Sequence, residues 1–189
     1  LNVVIGGMGG LGVSSGMAVG MVRSDIHKAW TIAGAGFGGV VIGSVTKILA
    51  LDALERLFGA APQGITGGLE GAILGTAVAS GIFAGGGLYA KSRIRPVVGA
   101  ATAAGVSGVL ISIVGGRLMS GSLHLLTQSF SGSHLKMDTL GRFFGEMKFG
   151  FITQTVLAGI EGFIFGACAV GAMVFLIDYL SNQKIDASR

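Results

Sequence analysis

The chain has 189 residues, of which 51% are hydrophobic, 12% are charged and 36 are glycine. Glycine is thus about a fifth of the chain against a usual ~7%, and charge is about half its usual ~25%. This excludes a disordered chain, which is poor in apolar residues; collagen, since there are two prolines and no Gly-X-Y period; a disulfide-stapled domain, since Cys168 stands alone; and an ordinary soluble domain, whose surface needs more charge. A helical membrane protein remains.

The charges are clustered, and the stretches between them are long enough to cross a ~30 Å hydrocarbon core at about 1.5 Å of helix per residue. Residues 1–22 form the first such stretch. It is glycine-rich and carries no charge before it, so a span, a re-entrant piece and the end of a linker all remain open, as does a soluble domain preceding Leu1. The next stretch predicts a span over 29–49, followed by Ile48–Phe58, where Leu51, Leu54 and Phe58 share one face and Asp52, Glu55 and Arg56 lie elsewhere. That pattern predicts a short interfacial helix. Further spans are predicted over 66–90, 96–117 and 153–178. Between the last two, residues 119–148 mix Leu123, Leu125, Phe130, Phe143 and Phe144 with Gly, Ser and His, which predicts a helix–loop–helix cap. Runs such as Val40-Val41-Ile42 do not alternate with polar residues, so a transmembrane β-barrel is set aside.

The expected fold is therefore all-α: a polytopic transmembrane helical bundle of four or five spans, integral and multi-pass. Basic residues mark the cytoplasmic side of such proteins. Arg23 and Lys28, then Lys91, Arg93 and Arg95, then Lys184 and Arg189 fall at one end of the predicted spans, and Trp30, Tyr89 and Tyr179 lie beside them like an interfacial aromatic belt. Anionic lipid headgroups account for these bases better than nucleic acid, because no stacking aromatics are interleaved among them.

Measured inward from that end, Lys47, Glu70, Arg117 and Glu161 lie 17, 19, 22 and 18 residues away from Trp30, Tyr89, Arg95 and Tyr179. As helix, these are about 26–33 Å, so two bases and two acids should reach one level near the opposite interface. The pairs Lys47–Glu70 and Arg117–Glu161 are expected to form salt bridges there. Intramembrane carboxylates are candidates for ion pathways or gating. The plainer reading is an ion pair and a helix start.

Two segments repeat. Gly67-Gly68-Leu69-Glu70-Gly71 resembles Ala158-Gly159-Ile160-Glu161-Gly162, and Gly36–Ile42 resembles Gly105–Ile111. The organisation read from this is an N-terminal glycine-rich segment (1–27), a first two-span repeat (28–92), a second with a longer outer segment (93–180) and a polar tail (181–189). Glycines spaced by four, at Gly12, Gly16 and Gly20, at Gly39 and Gly43, at Gly67, Gly71 and Gly75, and at Gly162 and Gly166, predict glycine-zipper helix packing. The lipid bilayer is the expected partner, together with further copies of the chain or other membrane subunits, and no nucleic acid.

Other motifs carry less. Gly7-Met8-Gly9-Gly10-Leu11-Gly12 has dinucleotide-fingerprint spacing, but so do Gly34, Gly36 and Gly39, and no strand–helix series accompanies either. His124, His134 and Asp138 could hold a metal, though surface histidines explain them more simply. Cys168 reads as a small packing residue. No catalytic residue, metal or cofactor is expected, and the chain is read as no enzyme. The leading expectation is a pore or a pathway for ions or small solutes, formed as an oligomer. The alternative is an anchor or scaffold subunit of a larger membrane complex, or the membrane module of a longer protein.

Overall fold

The computed structural model describes residues 10–19, 27–59, 64–129 and 137–186, all of them helix or connecting turn with no strand. Among the described residues seven helices follow in order: α1 Gly10–Val19, then α2 His27–Phe58, α3 Gly68–Ala84, α4 Ile94–Ile113, α5 Met119–Ser129, α6 Asp138–Phe143 and α7 Phe151–Asp186. Three stretches are long and apolar enough to cross a membrane: Lys28–Arg56, Ile94–Ile113 and Phe151–Gln183.

Among the described residues this is fewer than the four or five spans expected, and the differences that fall there have local causes. The stretch 66–90 yields only the 17 residues of α3. Gly85, Gly86 and Gly87 end it, with φ of +96° and +87° at the last two, a backbone region that glycine enters without penalty. At about 26 Å, α3 is slightly shorter than a hydrocarbon core. Residues 1–9 and Gly20 lie outside the described residues, and α1 is a 10-residue piece of the stretch 1–22. The separate interfacial helix expected over 48–58 is instead continuous with the preceding span in the 32 residues of α2. No Gly or Pro interrupts Ser44–Phe58, and its Leu, Ala, Glu and Arg residues favour helix. Gly59, with φ of +71°, ends it. The fourth stretch stops at Ile113 rather than at Arg117 because the chain turns at Gly115 (φ +85°).

The apolar helices pack as successive antiparallel neighbours: α1 on α2, α2 on α3, α3 on α4 and α4 on α7. A side chain added at Gly43 would meet the carbonyl of Gly67 at 2.6 Å, at Gly39 that of Gly71, and at Gly75 that of Ala35. Four residues up one helix thus match four down the other. The same register holds for Gly108 on Ala158, Gly162 on Ala104 and Gly166 on Ala100, for Gly81 on Gly99, and for Gly12 and Gly16 on Gly38 and Gly34. Backbone meets backbone at each of these points.

One core draws on five helices: Val13 of α1, Ala35 of α2, Val78 and Ile82 of α3, Ala100 of α4 and Val170 of α7. Large apolar residues lie on the outside, as with Phe37 (70% exposed) and Phe175 (72%). Glycine and alanine make the closest helix contacts, Val and Ile fill the core between them, and many of the larger side chains lie outside.

These contacts predict a contrast within α7. Gly162→Ala pushes a methyl into the Ala104 carbonyl and should lower unfolding stability by about 1–3 kcal/mol. Gly171 has nothing within 4 Å of an added Cβ, so Gly171→Ala should be neutral or gain about 0.5–1 kcal/mol from reduced backbone freedom. Thermal or denaturant unfolding in detergent micelles checks both.

Candidate functional site

Lys47, Glu70, Arg117 and Glu161 do gather at one end of the bundle, each half-buried. Lys47 Nζ and Glu70 Oε2 lie 3.4 and 3.7 Å from a single point, the Cβ position of Gly67. Glu70 Oε1 lies 3.5 Å from the equivalent point on Gly116, next to Arg117.

The salt bridges expected between them do not form. The ion pairs among the described residues are Arg56–Asp52 and Arg93–Asp178, both at 2.8 Å. The carboxylates bind backbone amides instead. Gly67 N–H donates to Glu70 Oε2 at 3.0 Å, so Glu70 closes the first turn of its own helix. Glu161, in the first third of α7, accepts from the N–H groups of Met119 and Ser120, each at 2.8 Å. It thereby caps α5 from a different helix. The free N–H groups of a helix start carry partial positive charge and prefer a carboxylate. Arg117 cannot meet Glu161 as expected because α4 has already ended at Ile113, so Arg117 leaves on a turn and its Nη1 donates to the carbonyl of Gly64 at 3.4 Å.

Neutral groups complete the junction. Thr66 Oγ1 donates to the Arg117 carbonyl at 2.8 Å, and Thr66 N–H donates to Ser122 Oγ at 3.0 Å. Gln154 Nε2 donates to the Gly116 carbonyl at 3.3 Å, and the hydroxyls of Ser112 and Thr155 pair at 3.0 Å. Three chain segments are knotted here: the turn before α3, the turn between α4 and α5, and the first half of α7. None of these hydroxyl or amide partners was singled out in the sequence, where isolated Thr and Gln residues give no pattern.

A second cap was equally hidden. Glu146 accepts from Ile152 N–H (3.1 Å), Thr153 N–H (2.8 Å) and Thr153 Oγ1 (2.5 Å), closing the start of α7. The Thr153 hydroxyl bond, then the backbone bonds, hold this carboxyl below its ordinary 4.5. Nearby, His124 stacks on Phe149 with ring centroids 4.3 Å apart. Burial holds its imidazole below the usual 6.5, with Asp138 pulling it back up and Arg117 pushing it further down.

Other sequence candidates do not assemble. Among the described residues no three His, Cys, Asp or Glu side chains come together as metal ligands, and His134 lies outside them. Gly34, Gly36 and Gly39 are interior to α2, and Gly10 and Gly12 lie in α1, so neither fingerprint spacing forms a described strand-to-helix turn. Cys168, expected to pack, is exposed on α7.

Removing the cap with Glu161→Ala should cost about 0.5–2 kcal/mol. The accompanying sign is faster hydrogen exchange at Met119 and Ser120, with the α4–α7 contacts intact. Acid should loosen the same region in two stages. A depressed histidine loses its contribution as pH falls below the unfolded value of 6.5. A depressed carboxylate contributes fully above 4.5 and loses that contribution as pH falls through its lower folded value. Hydrogen exchange across 119–129 and 150–153 against pH checks this, and Glu146→Gln should abolish the lower stage alone.

No protein-family model matches the chain, and neither the curated proteins nor the solved structures give a match.

Proposed function

We propose that the chain is a non-enzymatic, multi-pass membrane module: a scaffold or anchor built from closely packed helices. The observation that carries this reading is the inverted distribution of side-chain size. Glycine and alanine occupy the helix contacts while Phe37, Phe163, Phe175 and Leu110 face outward. In water so much exposed apolar surface is costly, whereas in lipid it is the natural exterior. The four-residue glycine series would then act as a glycine zipper, and other membrane helices, from further copies or from other subunits, would be the partners. A close antiparallel helix pair beside a glutamate occurs in both α2–α3 and α4–α7, which supports two tandem repeats over 28–92 and 93–180, with the second pair shifted by one helical turn: Gly39 meets Gly71, whereas its counterpart Gly108 meets Ala158. The end carrying Lys91 and Arg95 would face the cytoplasm.

A second reading, a pathway for ions or small solutes formed by several copies, is favoured by one observation. Four half-buried charged groups stand together at one end of the bundle. It ranks below the first because both glutamates already accept backbone hydrogen bonds.

Carbonate extraction and liposome flux separate the readings. The module reading expects the full chain to stay in the membrane pellet and its proteoliposomes to leak no faster than empty vesicles. Release by carbonate would overturn it. Flux that disappears in the Glu70→Gln/Glu161→Gln double variant would establish the second reading in its place.

A further inference from the structure

The end of the bundle opposite the polar junction has a different electrostatic character. The starts of α2 and α4, the end of α3 and the later part of α7 converge there, as the antiparallel registers require. Among the described side chains it holds Lys28, Lys91, Arg93 and Arg95 against one acid, Asp178. Among the described residues the junction end has six carboxylates, at Asp52, Glu55, Glu70, Asp138, Glu146 and Glu161, and five bases.

The four bases are not equivalent. Arg93 is committed: it pairs with Asp178 at 2.8 Å and donates to the Leu88 carbonyl at 3.0 Å, which fixes the glycine turn after α3 against α7. That pairing engages the one acid among the described side chains of this end. Lys28, Lys91 and Arg95 are exposed and form no ion pair. Lys28 lies over the ring of Phe83 at 6.0 Å, a contact that leaves its charge uncancelled. The first turns of α2 and α4 carry no acidic residue either. Trp30, Tyr89 and Tyr179 are exposed around the same end.

From this geometry we infer that Lys28, Lys91 and Arg95 form a recognition surface for the phosphate headgroups of anionic phospholipids, with Trp30, Tyr89 and Tyr179 as its interfacial rim. The inference rests on the membrane reading above and adds lipid selectivity to it. Bases near a membrane surface attract anionic lipid, and the attraction is screened by salt. Three uncancelled bases flanked by amphipathic rings fit a phosphate at the headgroup level. The Arg93–Asp178 pair ties the segment that carries Lys91 and Arg95 to α7.

The single tryptophan, Trp30, sits within this surface and reports on it. The full chain is reconstituted into phosphatidylcholine vesicles containing equal mole fractions of brominated phosphatidylglycerol or brominated phosphatidylcholine. The expected result is stronger Trp30 quenching by the anionic lipid, equivalent to a preference of about 5-fold or more at low salt. Added salt should reduce it. Lys28→Ala/Lys91→Ala/Arg95→Ala should bring the two lipids to equal quenching, while Lys28→Arg/Lys91→Arg/Arg95→Lys retains the preference. Arg142→Ala/Lys148→Ala at the other end should leave it unchanged. Equal quenching in the wild type, or a preference that survives the triple alanine variant, overturns the lipid surface and leaves the membrane reading standing. No quenching by either lipid overturns both.

Discussion

Everything in this bundle depends on helix backbones coming close enough to touch. Where Gly39 meets Gly71, or Gly162 meets Ala104, no side chain separates the two chains. Such contacts gain dispersion and weak Cα–H···O attraction, each small, and they accumulate only if many occur in register. The four-residue spacing supplies that register. A contact built this way has no room for bulk, so larger apolar residues are displaced to the perimeter. In water that arrangement would forfeit the hydrophobic effect. Where lipid is the solvent, close packing between helices takes its place.

Close packing leaves the helix ends to be satisfied separately. Glycine-rich turns end α3 and α4 abruptly, and the N–H groups that follow lack partners in their own helices. The long α7 solves part of this by carrying Glu161 to the start of α5, while Glu70 and Glu146 serve α3 and α7. The acids therefore bind helix starts in preference to bases. Arg117 is left to hold the Gly64 carbonyl, Lys47 lies against the turn at Gly67, and the two halves of the chain are joined by hydrogen bonds between Thr66, Arg117 and Ser122.

Much of this was legible in the residues. Long uncharged stretches announced α2, α4 and α7, because helix length in a bilayer is a matter of counting. Four-residue glycine spacing marked most of the backbone contacts, and distance along the helices placed four charges at one level. Pairing was not legible. Charge complementarity suggested Lys47–Glu70 and Arg117–Glu161, but whether a carboxylate meets a guanidinium or an amide depends on where a helix stops. Gly115 decided that for Arg117. The continuity of α2 was missed because an amphipathic pattern after a span reads as a separate element unless the absence of a breaker is given weight. Thr66, Ser122 and Gln154 act through hydrogen bonds between residues 38 to 56 positions apart, and no local pattern encodes that.

The unbroken α2 has a mechanical side. Its contacts with α3 run out near Lys47, and the described side chains of 48–58 include none that is buried. These 11 residues continue the helix by about 16 Å beyond its glycine contacts with α3. A rod of that length is a lever arm. If α2 leans by the ~20° common for membrane helices, its tip sweeps about 5 Å across the surface, with the hinge at the glycine contacts below. A change in bilayer thickness that alters the lean of α2 is thus magnified at Asp52, Glu55 and Arg56.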